Sequence, residues 1–238
     1  GSTTRIYYNT ITMVGTQSGG SDKSYAVAIA GADPVVDMRN NILVNTQNNG
    51  TGFNYAVGYG YSTFANLTSN NNNFFVTNPG ATFSIGGTGS ISVPTNQLTL
   101  ANLQAATGKD GASFNINPTF VSATDLHLTA VANNGPLLCG GTPIASVTND
   151  IDCATRGLAS TTIGADEVTL TVLLANVETS GTPNNGVICV GASVDINSTV
   201  TNGPSATYVW STGATTANLT GLTPAVTTTY TVTVTSFA

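Results

Sequence analysis

Charge is what this sequence has least of. Five of its 238 residues are Lys or Arg and eleven are Asp or Glu, so charged residues make up 7%, against roughly a quarter in an average soluble domain. Five basic residues cannot track a phosphate backbone, which excludes nucleic acid as a partner. Long surface helices, normally dressed in Glu, Lys and Arg, are excluded too. No apolar run approaches the ~18 residues of a membrane-crossing helix. No charged segment leads into a short apolar one, so any signal peptide is expected outside this chain. Three cysteines leave at least one without an internal partner.

What fills the space is Thr, Asn, Gly and Ser, with 40% apolar residues to build a core. The length suits one large or two modest domains. The organising feature is a repeated phrase. Ser24-Tyr25-Ala26-Val27-Ala28-Ile29 returns roughly thirty residues on as Asn54-Tyr55-Ala56-Val57-Gly58-Tyr59. Asn40-Asn41-Ile42-Leu43-Val44 returns as Asn72-Asn73-Phe74-Phe75-Val76, and Asn9-Thr10-Ile11-Thr12-Met13-Val14 is an earlier copy. A fixed period of this size marks stacked units. Short apolar strands ending in Asn and Gly point to a β-solenoid, with Tyr25 under Tyr55 and Val27 under Val57 at the spacing of adjacent strands.

Parity along the strands sends Tyr55, Val57, Tyr59 and Tyr61 inward. Tyr7 and Tyr8 have opposite parities, so one of them is expected at the surface as a ligand contact. Asn40, Asn41 and the run Asn70 to Asn73 suit corners, because Asn tolerates left-handed backbone; a polar binding stripe is the alternative. Leu100–Gly108 is the one convincing helix, with Leu100, Leu103 and Ala106 on one face and Gly108 closing it.

Catalytic chemistry finds little support. Lys23, Arg39, Lys109 and Arg156 are scattered, where a lyase needs a base beside positive charge or calcium. Asp33 and Asp37 align one lap on with Thr63 and about Leu67 or Thr68, leaving no carboxylate pair for a hydrolase. His127, between Leu126 and Leu128, is expected to face solvent. Asp150, Asp152, Asp166 and Glu167 are a candidate calcium set, since carboxylates two apart on an extended segment share a face; the competing reading pairs Arg156 with Asp152 or Asp166. No other cofactor is indicated.

The stretches Leu103–Asp110, Asn117–Val121 and Asp125–Leu128, with Thr148-Asn149-Asp150-Ile151-Asp152-Cys153-Ala154-Thr155-Arg156 and Ile163-Gly164-Ala165-Asp166-Glu167, resemble the C-terminal coils and closing motif of right-handed parallel β-helix proteins of the pectate-lyase-like superfamily. Cys153 stands where that family has Gly. Beyond Glu167, Ile188–Val194, Tyr208–Thr216 and Thr227–Val234 resemble Ig-like or PKD-like modules of large secreted adhesins of gliding Gram-negative bacteria with type IX secretion. The resemblance implies an all-β chain: a parallel β-helix over residues 1–167, then an Ig-like β-sandwich over 168–238. It implies a secreted or cell-surface setting, with surface glycans, cell-surface proteins or the secretion machinery as partners. It implies no activity by itself; with no catalytic set among the residues, the expectation is a non-catalytic adhesin fragment, a rigid displayed stalk or glycan-contacting module, with a polysaccharide lyase or hydrolase remnant and a structural passenger as the alternatives.

In the second half, the β-branched runs Val168–Val172, Ser193–Ile196, Thr207–Trp210 and Tyr230–Val234 alternate with Gly, Pro and Asn turns, as in a sandwich. Trp210 ends an apolar strand and reads as a core aromatic rather than a sugar platform. In a secreted setting Cys139 and Cys153 are expected to form a disulfide, stabilising by about 3 kcal/mol on the chain-entropy account. Cys189 would then pair beyond Ala238, with the sandwich cut short and the chain a fragment of something longer.

Overall fold

The computed structural model describes residues 2–17, 21–79, 82–129, 131–168, 171–178, 192–201 and 206–236. The described residues are all-β apart from a few helical turns, and the chain divides into two units, Gly1–Thr129 with Pro136–Glu167, and Ala130–Gly135 with Val168–Ala238.

In the first unit nine strands alternate among three parallel sheets. In chain order they are β1 (Thr4–Tyr7), β2 (Thr10–Met13), β3 (Ser24–Ile29), β4 (Val36–Arg39), β5 (Ile42–Asn45), β6 (Asn54–Tyr59), β7 (Leu67–Asn70), β8 (Asn73–Val76) and β9 (Phe83–Thr88). The sheets are β1-β4-β7, β2-β5-β8 and β3-β6-β9, the last extended by antiparallel β10 (Thr95–Gln97). The chain thus visits each sheet in turn and returns to the first about thirty residues later, which is why the sequence repeats at that step. The predicted register holds: Tyr25 lies opposite Tyr55 and Val27 opposite Val57. The two tyrosine rings stack with centroids 4.6 Å apart and planes 10° from parallel.

Inward parity fills the space between the sheets with Met38, Leu43, Val57, Tyr59 and Phe74, all wholly buried. Tyr59 and Tyr61 are core residues, packed on Phe64. Helix α1 (Leu100–Thr107) covers β9. Thr99 caps it in a reciprocal pair with Asn102, and Gly108, at φ 68°, donates its N–H to Gln104 O. Leu103 occupies the space over Gly86, where an added Cβ would come within 2.7 Å of its Cδ1. Thr107, not Ala106, is buried beside Leu103, while Leu100 is half-buried: the Thr107 hydroxyl returns to Leu103 O at 2.8 Å, so it can be buried without an unmet polar group.

Between the first and second sheets each lap turns through one left-handed residue: Tyr8 at φ 53°, Asn40 at 60° and Asn71 at 54°. The next residue inward is an asparagine on every lap, and these form a ladder. Asn41 Oδ1 accepts from Asn9 N and Nδ2, and Asn72 Oδ1 accepts from Asn41 N and Nδ2. Each side-chain amide also donates to a strand carbonyl, Ile6 and Arg39 for Asn41, Met38 for Asn72. The asparagines are corner chemistry, and Asn40, Asn41, Asn72 and Asn73 are completely buried, so they cannot form a binding stripe.

The second unit is antiparallel. β11 (Thr171–Glu178) pairs with β12 (Val194–Thr201), β12 with β14 (Leu219–Leu222), and β13 (Ala206–Trp210) with β15 (Val232–Ser236). Trp210 is a core residue as expected, 2% exposed, with its indole N–H donated to Thr216 O at 2.8 Å. Cys189 lies outside the described residues. No helix among the described residues is long and apolar enough to cross a membrane.

Candidate functional site

The chemically richest place is a strap formed by residues 140–167, held along the left-handed corners. Thr142 N donates to Asn40 Oδ1 at 3.0 Å, and Asn40 Nδ2 and the Tyr8 hydroxyl both donate to Thr142 O. Asn71 Nδ2 donates to Gly140 O at 2.9 Å. Gly164 N donates to Asn40 O and Ala165 N to Thr10 Oγ1. One segment therefore ties three successive laps together through side chains that carry no apolar signal.

Arg156 organises the strap from inside. It is 4% exposed, pairs with Glu167 at 3.2 Å, and donates to the carbonyls of Thr162, Gly164 and Ala165. Its guanidinium lies 3.9 Å from the centroid of the Tyr8 ring, a cation–π contact. Glu167 also accepts from Gly157 N, Thr161 Oγ1 and Thr162 N. Asp150 shapes the adjoining turn: Oδ1 accepts from Asp152 N and Ala154 N, and Oδ2 from Glu167 N. The four acids therefore separate by role. Asp150 and Glu167 are committed to the backbone and to Arg156. Arg156 pairs with Glu167 rather than with Asp152 or Asp166.

Asp152 and Asp166 instead meet His127. His127 is half-exposed and far from idle: Nδ1 bonds Asp125 Oδ1, and Nε2 bonds Asp152 Oδ2 at 2.5 Å. Asp166 accepts the Leu128 N–H at 3.2 Å and stands beside the same ring. Ionised carboxylates only accept, so both ring nitrogens must donate, and the ring is an imidazolium. The bonds from Asp125 and then Asp152 raise its pKa from 6.5 to about 9. Burial raises the Asp166 carboxyl, while the bonds from His127 lower Asp125. The sequence showed His127 alternating with two leucines but not that a turn some twenty-five residues on would bring Asp152 to it.

A pH prediction follows for metal-free protein. A base whose pKa rises on folding stabilises fully below its unfolded value and loses that contribution as pH climbs through the folded one. The melting midpoint should therefore decline between pH 6.5 and about 9. His127→Gln should flatten that decline, leaving the two proteins most different at pH 6; parallel curves would show the His127 contacts with Asp125 and Asp152 to be inert.

Other sequence candidates disperse. Tyr8 is 5% exposed under Arg156, so it is not a ligand contact; the left-handed corner turns its ring into the strap. Tyr7 is half-buried and donates to Asp37 Oδ2 at 2.6 Å. Burial pushes the Asp37 carboxyl up, but the bonds from Arg39 and Tyr7 outweigh it and hold it below the usual range. Asp37 faces Thr68 on the next strand, and Asp33 bonds Asn66, so among the described residues neither has a carboxylate partner. Cys139 and Cys153 are free thiols, and the expected disulfide between them is not formed. Cys153 sits exposed in the Asp150 turn at φ 68°, its carbonyl held by Asn149 Nδ2, while Cys139 closes the short helix Gly135–Cys139, half-buried. Each is fixed by its own backbone bonds rather than by the other.

The sequence also gave no sign of Asp110. It is 1% exposed and accepts from Ser69, Ser113 and Asn72 between the sheets, and burial pushes its carboxyl up. A half-open groove beside Thr12, Val44, Thr46, Phe120 and Leu126 has a cavity volume of about 150 Å³, below the roughly 300–1,000 Å³ of small-molecule sites. No protein-family model, no curated protein and no solved structure matches the chain.

Proposed function

We propose that the chain is a non-catalytic, displayed part of a secreted or cell-surface adhesin of a Gram-negative bacterium, serving as a rigid stalk. Its first unit reads as the C-terminal coils of a right-handed parallel β-helix, and its second as an Ig-like sandwich. The observation that carries the proposal is the use made of the polar residues. Asn9, Asn41 and Asn72 bond lap to lap, and Arg156, Glu167 and Asp150 bond within the strap. Asp37 is opposite Thr68 rather than a second carboxylate, and is engaged by Arg39. The polar chemistry goes into holding laps together, which suits a spacer. Glycan contact remains the second role of the same module, and a secretion-system passenger would share its architecture.

Antibody against the 238-residue chain should label intact cells of the producing bacterium as strongly as lysed ones. Incubation with uronate polymers should yield no unsaturated product absorbance. Product absorbance would overturn the stalk in favour of a lyase, and labelling of lysed cells alone would overturn display. Specific retention on a glycan array would replace the passive stalk by a glycan-contacting module.

A further inference from the structure

We propose that His127, Asp152 and Asp166 form a site for a divalent transition-metal ion of the zinc type, with Asp125 behind the histidine. Each of the three residues offers a ligand atom, and these atoms lie within 4.8 Å of one another. They come from separate stretches, each positioned by its own backbone bonds. Val121 N donates to His127 O and Thr129 N to Thr119 O, fixing the hairpin around His127. Asp150 holds the turn carrying Asp152, and Leu128 N holds the Asp166 carboxylate. The donors are thus gathered before any ion arrives.

Three features point to the class of ion. First, Asp125 bonds Nδ1 and aims Nε2 at Asp152, the carboxylate–histidine arrangement that orients metal-bound imidazoles. Second, the charge there is unmatched. Among the described residues Arg39 pairs with Asp37 and Arg156 with Glu167, so Asp125, Asp152 and Asp166 share only the imidazolium. Third, the cluster supplies an imidazole nitrogen, a donor that suits zinc and its neighbours and that oxygen-seeking calcium does not use, beside only two carboxylates, Asp150 and Glu167 being occupied elsewhere. Donors around a tetrahedral ion at about 2.0–2.2 Å stand roughly 3.5 Å apart. The His127–Asp152 contact therefore opens by about 1 Å, within the reach of half-exposed side chains. Binding breaks the Nε2–H bond, releases that proton to solvent and gives the ring lone pair to the ion, with no change of oxidation state. Water completes the coordination. The ion then joins the hairpin at His127 to the turn at Asp152, and locks the strap.

The test is Zn²⁺ titration of the metal-free 238-residue chain by calorimetry, repeated with Cys139, Cys153 and Cys189 changed to Ser so that thiols cannot supply the signal. One ion per chain should bind in both, with His127→Gln or Asp152→Asn weakening it at least a hundredfold and Asp125→Asn roughly ten- to a hundredfold. Should a variant fail to fold, the unaltered protein still decides: its single histidine gives one set of imidazole NMR resonances, which Zn²⁺ should shift. Unshifted resonances, binding that survives His127→Gln, binding lost with the cysteines, or equal affinity for Ca²⁺ would each overturn the site.

Discussion

Asn41→Ala should destabilise the first unit by about 2–4 kcal/mol, because it removes five hydrogen bonds around a buried amide at once. Asn41 is completely buried. Removing its amide deprives Asn9 N of its acceptor, takes one donor each from the carbonyls of Ile6 and Arg39, of which Arg39 O still accepts from Tyr8 N, and removes one of the two bonds to Asn72 Oδ1. The lost apolar contact is small by comparison, since the truncation removes no methyl group, so the cost is almost wholly unmet hydrogen bonding. Leucine would be no better: it fills volume but satisfies none of those groups. Asn66→Ala is the matched control. Asn66 bonds Asp33 at an exposed site, where loss of such a pair costs about 0.5 kcal/mol or less. Urea unfolding of both variants decides the matter. If Asn41→Ala unfolds at the midpoint of Asn66→Ala, the ladder is not what joins the laps.

How much of this was legible depends on whether identity or only parity is kept from lap to lap. The third sheet keeps identity, with Tyr25 over Tyr55 and Val27 over Val57, and that repeat was visible as a phrase in its true register. The second phrase was visible too, but set one residue out of step: Asn41 lies over Asn72 rather than Asn73, and Leu43 over Phe74 rather than Phe75, because only the asparagine is kept from lap to lap there. The first sheet repeats only the inward position, with Val36 beside Leu67 and Met38 beside Ser69. A sheet needs matching parity, not matching side chains, so β1, β4 and β7 left no repeated phrase to find. Ser69 replaces an apolar residue there because Asp110 needs a donor, a pairing between residues far apart in sequence. The strap escaped for a similar reason. The acidic residues 150–167 stood out, but which of them face Arg156 and which face His127 depends on the turn at Asp150, whose geometry rests on backbone bonds rather than on residue type. The disulfide expectation failed because nearness in sequence brings two cysteines together only if the chain between them does not already fix both.

Arg156→Met should cost about 3–5 kcal/mol, the range for a buried ion pair broken on one side. The change removes the four bonds to Glu167, Thr162, Gly164 and Ala165, and it leaves the Glu167 carboxylate, itself only 10% exposed at the side chain, without a counter-charge. Glu167→Gln should cost less, because its amide keeps an acceptor for Gly157 N or Thr162 N, while its own donors compete with Arg156. The informative variant carries both changes, Arg156→Met with Glu167→Gln. With no charge left buried it should recover part of the loss, so the two effects should be less than additive. Melting midpoints give the energies, and limited proteolysis gives the place. Cleavage of Arg156→Met should begin within residues 140–165, since Tyr8, Asn40 and Asn71 lose the segment that Arg156 holds against them. First cleavage in the second unit, or additive losses in the double variant, would mean that the strap is held by its backbone bonds alone.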